Sequence, residues 1–338
     1  MKRLLLFVAV CAPALAAISG TVVNGTTGQP QANTPVTLMR MGASGPEDAG
    51  EGKTDAQGKF SLSGGADGQG PTLLRATLDG VTYTKVLPPG TPTEGVTLDV
   101  YNASKSAGSA KVSKHLIFFA PGSDGLTVSE TYLFANDGKT AWNDPAGGTL
   151  RFFLPKGADG KVKINATAPG GMPLQESAAK TEKPDIYKVN FPVRPGETRF
   201  DLSYTTPYKA GEPYAGKVVT SDDNTYLIAP KGVTLTGDNL NDMGEEPRSQ
   251  AHIFGLKDAS YKIALSGAVE PSAGGDDADS GGAEGGGSQL QEIMPRVYSQ
   301  VAPILGLALG ILALGFVLLY RTSAASGTNR EPNERSRG

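Results

Sequence analysis

Cysteine is almost missing from this chain. The one that is present, Cys11, lies inside the N-terminal stretch MKRLLLFVAVCAPALAA. That stretch begins with Lys2 and Arg3, continues through an apolar run from Leu4 to Val10, and closes on the small residues Ala14-Leu15-Ala16. It has the layout of a secretory signal peptide over residues 1–16, cut after about Ala16. A lipoprotein reading of Cys11 fits less well, because Val10 stands where a small residue is wanted and the apolar run before it is short. The mature chain is therefore expected to lack disulfides, thiolate chemistry and cysteine-bound zinc.

Histidine is nearly as scarce. The only two are His115 in KHLIFF and His252 in AHIFGL, and neither stands in an H-x-x-E arrangement. Each sits among apolar residues at strand spacing, which favours a strand-face role over metal ligation. There is no G-x-S-x-G elbow, and two histidines make a poor case for a Ser-His-Asp triad. Acidic groups occur as SDDN at 221–224, GDNLNDMGEE at 237–246, and Asp276, Asp277 and Asp279; none follows the D-x-D-x-D-G-x5-E calcium loop. No pair of carboxylates is singled out for glycoside hydrolysis. The expectation is a protein that is not an enzyme, with no cofactor and no metal.

Glycine and proline are plentiful, at 45 and 24 residues, and they punctuate short apolar bursts. From 17 to 102 these read as strands: ISGTVV, TPVTLMRM, GKFSLS, TLLRATL, VTYTKV and GVTLDVY. From 111 to 266 come longer ones, including KHLIFFA, LTVSETYLFAN, GTLRFFLP, TRFDLSYTTPY and YKIALSG. Strands at this spacing with no helices between them predict an all-β fold of two consecutive β-sandwiches, the first of immunoglobulin-like size, rather than a parallel sheet.

Residues 267–290 lose their apolar content and read as a flexible Gly/Asp-rich linker. The run VAPILGLALGILALGFVLLY at 301–320 carries no charge. At about 1.5 Å per residue it spans about 30 Å, the hydrocarbon thickness of a bilayer. It predicts one transmembrane helix, with Tyr298 and Tyr320 at the interfaces, and the arginine-rich 321–338 tail predicts a cytoplasmic C-terminus. Within the span, Gly306 and Gly310 form a G-x-x-x-G, a candidate face for weak helix dimerisation.

The stretch GKTDAQGKFSLSG at 52–64 poses the choice between a ligand loop and a bend. Asp55 and Gly58 suit a tight turn: the carboxylate accepts from nearby backbone N–H groups, and glycine tolerates positive φ where the next strand starts. The same region carries a family resemblance. ISGTVVNGTTGQPQANTPVTL followed by TDAQGKF resembles the carboxypeptidase regulatory-like domain in its I-x-G-x-V strand, its Gly28 to Pro30 turn, its Val36 to Leu38 strand and its Thr54 to Phe60 motif. Two departures stand out: MGASGPEDAGEG at 41–52 lengthens the connection ahead of Thr54, and the usual glycine-tyrosine strand start is replaced by GQGPTLLRATLDGVTYTKV. The resemblance implies a transthyretin-like β-sandwich and an accessory domain rather than peptidase activity. The order of a regulatory-like domain, a second sandwich and a C-terminal span also resembles bacterial membrane-anchored envelope proteins.

Leaving aside Lys2, Arg3 and the last 18 residues, 25 basic residues face 32 acidic ones, a net of −7. That balance argues against nucleic acid or an anionic membrane surface as partner. The expected function is non-enzymatic binding or scaffolding at the cell envelope, either in the periplasm or at the cell surface, with an envelope protein as partner. The alternative is a cell-surface glycan. For that role the candidate contacts are Trp142, the only tryptophan, in DGKTAWNDPAGG, with Tyr208 and Tyr214 in TPYKAGEPYAG, loop aromatics of the kind that stack on sugars.

Overall fold

In the computed structural model the described residues are 17–42, 45–64, 70–220 and 224–269. Among them regular structure is almost wholly strand, and the single helical element is one 3₁₀ turn, Lys156–Ala158. The all-β expectation holds. The leader at 1–16, most of the linker, the 301–320 span with Gly306 and Gly310, and the tail at 321–338 lie outside the described residues. Among the described residues no helix is long and apolar enough to cross a membrane.

Residue alternation builds the first region. In Lys59–Ser63, Phe60 and Leu62 point inward while Lys59, Ser61 and Ser63 face out, as the two-residue period of a strand requires. Ala17–Asn24 pairs antiparallel with Lys59–Ser63 and parallel with Val96–Val100. That parallel pairing joins the first and last strands of the region and departs from a purely antiparallel arrangement. A second sheet runs in the order Gly45–Lys53, Pro35–Gly42, Thr72–Leu78, Val81–Leu87. Ile18, Val22, Leu38, Leu62, Leu74 and Val100 from both sheets meet in one apolar core.

The segment read as a lengthened connection ahead of Thr54 is instead a strand, Gly45–Lys53, antiparallel to Pro35–Gly42 with a register shift between Leu38 and Met39. Its sequence shows no apolar alternation because it packs through backbone. A Cβ on Gly50 would meet the Ser63 carbonyl oxygen at 2.7 Å, and one on Gly52 would meet Leu62 Cδ2 at 2.9 Å. The strand lies close over the neighbouring sheet because it has no side chains at these points.

The 55–58 segment is a turn. Asp55 Oδ1 accepts from the N–H groups of Gln57 at 2.9 Å and Lys59 at 2.8 Å, and Gly58 has φ +70°.

The second region is organised by a long hairpin, Ala110–Gly122 with Gly125–Asn136, flanked by Gly196–Thr206 on one side and Thr225–Ala229 on the other. They are the centre of an eight-stranded sheet. Two three-stranded sheets accompany it. One joins Leu150–Phe153, Ile186–Val189 and Ala179–Lys180; the other joins Pro213–Lys217, Ser260–Gly267 and Val233–Gly237. Phe119, Phe134, Phe152, Phe200 and Ile263 fill the core they share.

The two regions are fastened to each other. Ala141–Trp142 pairs in parallel with Ala103–Ser104, and Trp142 exchanges two 2.9 Å backbone hydrogen bonds with Val193 on its other side. Ala141 is fully buried and belongs to the first region's core although its strand arises in the second. Asn24 donates to Asn102 Oδ1 at 2.7 Å, Thr26 Oγ1 donates to the Lys139 carbonyl, and the Asp79 carboxylate accepts from the Ala103 N–H at 3.1 Å. Residues 141–143 are thus held by backbone hydrogen bonds to Asn102 and Ser104 on one side and to Val193 on the other.

A candidate groove beside His252 and a sealed carboxylate at Glu130

The aromatic residues expected to meet a glycan are used inside the fold. Trp142 is half-buried at the joint; its indole N–H donates to the Lys105 carbonyl at 3.1 Å and its ring lies 6.2 Å from that of Phe134. Tyr208 packs against the second core, where its hydroxyl donates to the Leu265 carbonyl at 3.1 Å and accepts from the Leu265 N–H at 2.7 Å. Tyr214 is buried and shares a 2.9 Å hydrogen bond with the Tyr204 hydroxyl. No ring contact joins Trp142 to either tyrosine. Tyr214 is thus enclosed, whereas Trp142 and Tyr208 remain half-buried with their polar atoms bonded to backbone.

A site that sequence reading missed lies at the edge of the eight-stranded sheet. His252–Leu256 pairs with Leu240–Glu245, and the register slips between Asp242 and Gly244. Gly244 has φ +87°. A bulge of this kind re-aims the side chains beside it. Asp242 Oδ1 lies 2.6 Å from His252 Nε2 and also accepts from the Gly244 N–H at 2.8 Å. The His252 hydrogen bond, followed by that N–H, holds the Asp242 carboxyl below its ordinary range. Phe254, two residues on and on the same strand face, stacks under the imidazole with centroids 4.6 Å apart and planes 22° apart.

These groups line a groove of about 540 Å³ whose other walls include Leu235, Glu245 and Gln250. A carboxylate, an imidazole and an amide there are groups that can meet the hydroxyls of a polar ligand, while one face of Phe254 is taken up by the imidazole. Among the described residues no group of three His, Cys, Asp or Glu side chains is placed to hold a metal ion. The sequence signal was the H-x-F spacing in AHIFGL with Asp242 ten residues earlier, too common a pattern to select alone.

His115 is buried in the core and belongs to a polar network around Glu130. Glu130 Oε2 accepts from the Tyr132 hydroxyl at 2.7 Å and lies 3.1 Å from His115 Nε2, while Oε1 accepts from the Tyr204 hydroxyl at 3.2 Å. The imidazole stacks on the Tyr132 ring at 3.8 Å, and its Nδ1 faces the Thr225 hydroxyl at 3.4 Å. With Nε2 donating to Glu130, Nδ1 is left to accept from Thr225. Burial, reinforced by the Glu130 charge, pushes the phenols of Tyr132 and Tyr204 well above their ordinary value. The carboxylate has partners on both oxygens, as a buried charge requires. The network is enclosed: His115 and Tyr132 are each 1% exposed. It organises the core and offers no opening to a ligand. Its signal was legible in LTVSETYLFAN, where Glu130 falls in phase with the inward Leu126, Val128, Tyr132 and Phe134.

Of the acidic clusters, 237–246 supplies Asp242 and Glu245 to the groove. In the same cluster Glu246 folds back to accept from the Ser249 N–H and hydroxyl, each at 2.6 Å. Residues 221–223 lie outside the described residues, as do Asp276, Asp277 and Asp279.

The sequence matches no protein-family model, and no curated protein matches it. Among solved structures, an M1 zinc metallopeptidase from Deinococcus radiodurans aligns with 46% of this chain and 42% of its own at 10% identity, with a TM-score of 0.24. A mutant of a two-domain M1 zinc metallopeptidase bound to L-arginine gives 12% identity over the same shares and the same TM-score. The chain thus spans well under half of these proteins, and overlap this slight carries no argument about fold or chemistry.

Proposed function

We propose that this chain is a non-enzymatic, single-pass envelope protein of bacterial type whose two β-sandwiches act together as a binding or scaffolding module outside the membrane. The first sandwich is the one that resembles the carboxypeptidase regulatory-like domain. The observation that carries this reading is the joint. Ala141 is buried in the first core while its neighbour Trp142 is paired to Val193 of the second region, so the two regions present one continuous surface rather than two independent beads. The apolar run at 301–320 supplies the anchor, the linker at 267–290 supplies reach, and confinement to a membrane raises local concentration at a partner. Photo-crosslinking of full-length protein in native membranes, from exposed positions such as Thr97 and Asn165, tests this. The expected result is the same discrete partner from both regions. Diffuse products from both positions would remove the reading.

A second reading is a glycan ligand, which we assign to Phe254, His252, Asp242 and Gln250; its support is the groove that these side chains line. Saturable polysaccharide binding that is lost in His252→Ala and retained in Trp142→Ala is the expected outcome; equal retention in both variants would dismiss this groove.

A further inference from the structure

A second cleft, of about 370 Å³, opens over the three-stranded sheet made by Leu150–Phe153, Ile186–Val189 and Ala179–Lys180. Its charge is one-sided. Arg151, Lys180, Lys183 and Lys188 line it against a single carboxylate, Glu182.

Arg151 and Lys188 stand directly opposite each other in the register of the antiparallel pair. Like charges in that relation repel and weaken the sheet. No ion pair relieves them, since none of the four cations is bridged to a carboxylate among the described residues. The head groups are nonetheless held. Arg151 Nε donates to the Gly147 carbonyl at 3.0 Å, and Lys188 Nζ donates to the adjacent Ala146 carbonyl. Asp144, the nearby acid, accepts from the Gly147 N–H through Oδ1 at 2.9 Å, and its charge stands near the Arg151 head group without reaching ion-pair distance. Thr220 Oγ1 donates to the Arg151 carbonyl at 2.7 Å, fixing the wall that carries Val219. Both Nη groups of Arg151 take part in no hydrogen bond among the described residues.

We propose that this cleft binds a phosphate group carried by a ligand of the envelope. A monoanionic carboxylate is satisfied by one guanidinium, whereas four cations around one cleft match a group with two or more negative charges and several acceptor oxygens. The cleft has the volume of a small-ligand site rather than of a bare ion. The acidic exterior does not oppose this, because screening confines each charge to a Debye length of about 8 Å at physiological salt, and the field inside the cleft is set by its own side chains. The phosphate can belong to a soluble phosphorylated compound or to a lipid headgroup.

The test uses full-length protein in neutral detergent. One arm titrates sodium pyrophosphate by calorimetry; the other titrates neutral-detergent micelles doped with phosphatidylcholine alone or with added phosphatidylglycerol. Two variants, Arg151→Gln/Lys188→Gln and the wholly surface-borne Lys180→Gln/Lys183→Gln, are compared with Lys209→Gln/Lys257→Gln, which changes net charge equally away from the cleft. Binding is expected to saturate and to weaken about tenfold or more in both cleft variants, as loss of charged hydrogen bonds implies, and to stay near wild type in the control. Response to pyrophosphate assigns a soluble phosphate, and response to the phosphatidylglycerol micelles alone assigns a headgroup. Absence of saturable binding in both arms, or equal weakening in the control, overturns the proposal. Melting temperatures of the cleft variants are expected to be unchanged or higher, since repulsion between Arg151 and Lys188 is relieved.

Discussion

The guanidinium of Arg194, from the second β region, lies over the ring of Tyr83, from the first, with its central carbon 5.2 Å from the ring centroid. Burial lowers the Arg194 pKa. A cation over an aromatic face is worth about 0.5–2 kcal/mol, more when water is excluded. A double-mutant cycle of Arg194→Met and Tyr83→Leu, read by thermal unfolding, is expected to give a coupling of about 1 kcal/mol. Additive single effects would show that the contact contributes nothing to the joint.

Glu130 should be intolerant of truncation. Glu130→Ala strands the hydroxyl of Tyr132 and the Nε2 of His115 in the core, while the Tyr204 hydroxyl keeps that of Tyr214. Removing one member of a buried ionic network typically costs about 3–5 kcal/mol. Denaturant unfolding of Glu130→Ala checks this, with Glu130→Gln expected to recover part of the loss by keeping an acceptor. A truncation cost below about 1 kcal/mol would mean that water reaches the site.

Stability should fall at alkaline pH. Burial, the largest cause, pushes the Tyr83 phenol up from 10.0 to about 12, and Tyr132, Tyr204 and Tyr261 are raised well above the usual value. The unfolded chain releases these protons near pH 10 while the folded chain retains them, so stability present below pH 10 declines as pH rises towards 12 and beyond. Phenolate absorbance is expected to show these tyrosines ionising together with loss of the near-ultraviolet dichroism signal. Smooth ionisation near pH 10 in a still-folded chain would contradict their burial.

Much of the architecture was legible in the sequence because period-two alternation in stretches such as KFSLS and RFDLSY follows directly from having one buried face. Gly45–Lys53 was not legible, since a strand that packs through glycine backbone leaves no alternation to find. The burial of Tyr214 was not legible for a related reason: it stands among turn residues in the sequence, and only long-range pairing to Ile263 turns it inward. Arg151 and Lys188 are separated by 37 residues, so no local pattern announces the cleft that they share.

Gly58→Ala should be costly. A Cβ there would lie 2.8 Å from the Val22 carbonyl oxygen and 2.9 Å from Pro30 Cβ, at a residue with φ +70°. Positive φ alone costs a non-glycine residue about 1–2 kcal/mol, and the backbone clash adds to it. Thermal melts are expected to place Gly58→Ala well below wild type, with Gln57→Ala near wild type. An unchanged melt for Gly58→Ala would mean that the turn relaxes freely.

The account rests on the two β regions moving as one body. With Cys11, the one cysteine in the sequence, replaced by alanine, Thr97→Cys and Asn165→Cys can be spin-labelled selectively at two exposed strand positions, one in each region. Double electron–electron resonance on the full-length labelled protein is expected to give one narrow distance distribution, unchanged on dilution. A broad or multimodal distribution would show regions that swivel independently, and would contradict a single binding surface built across the Ala141 joint.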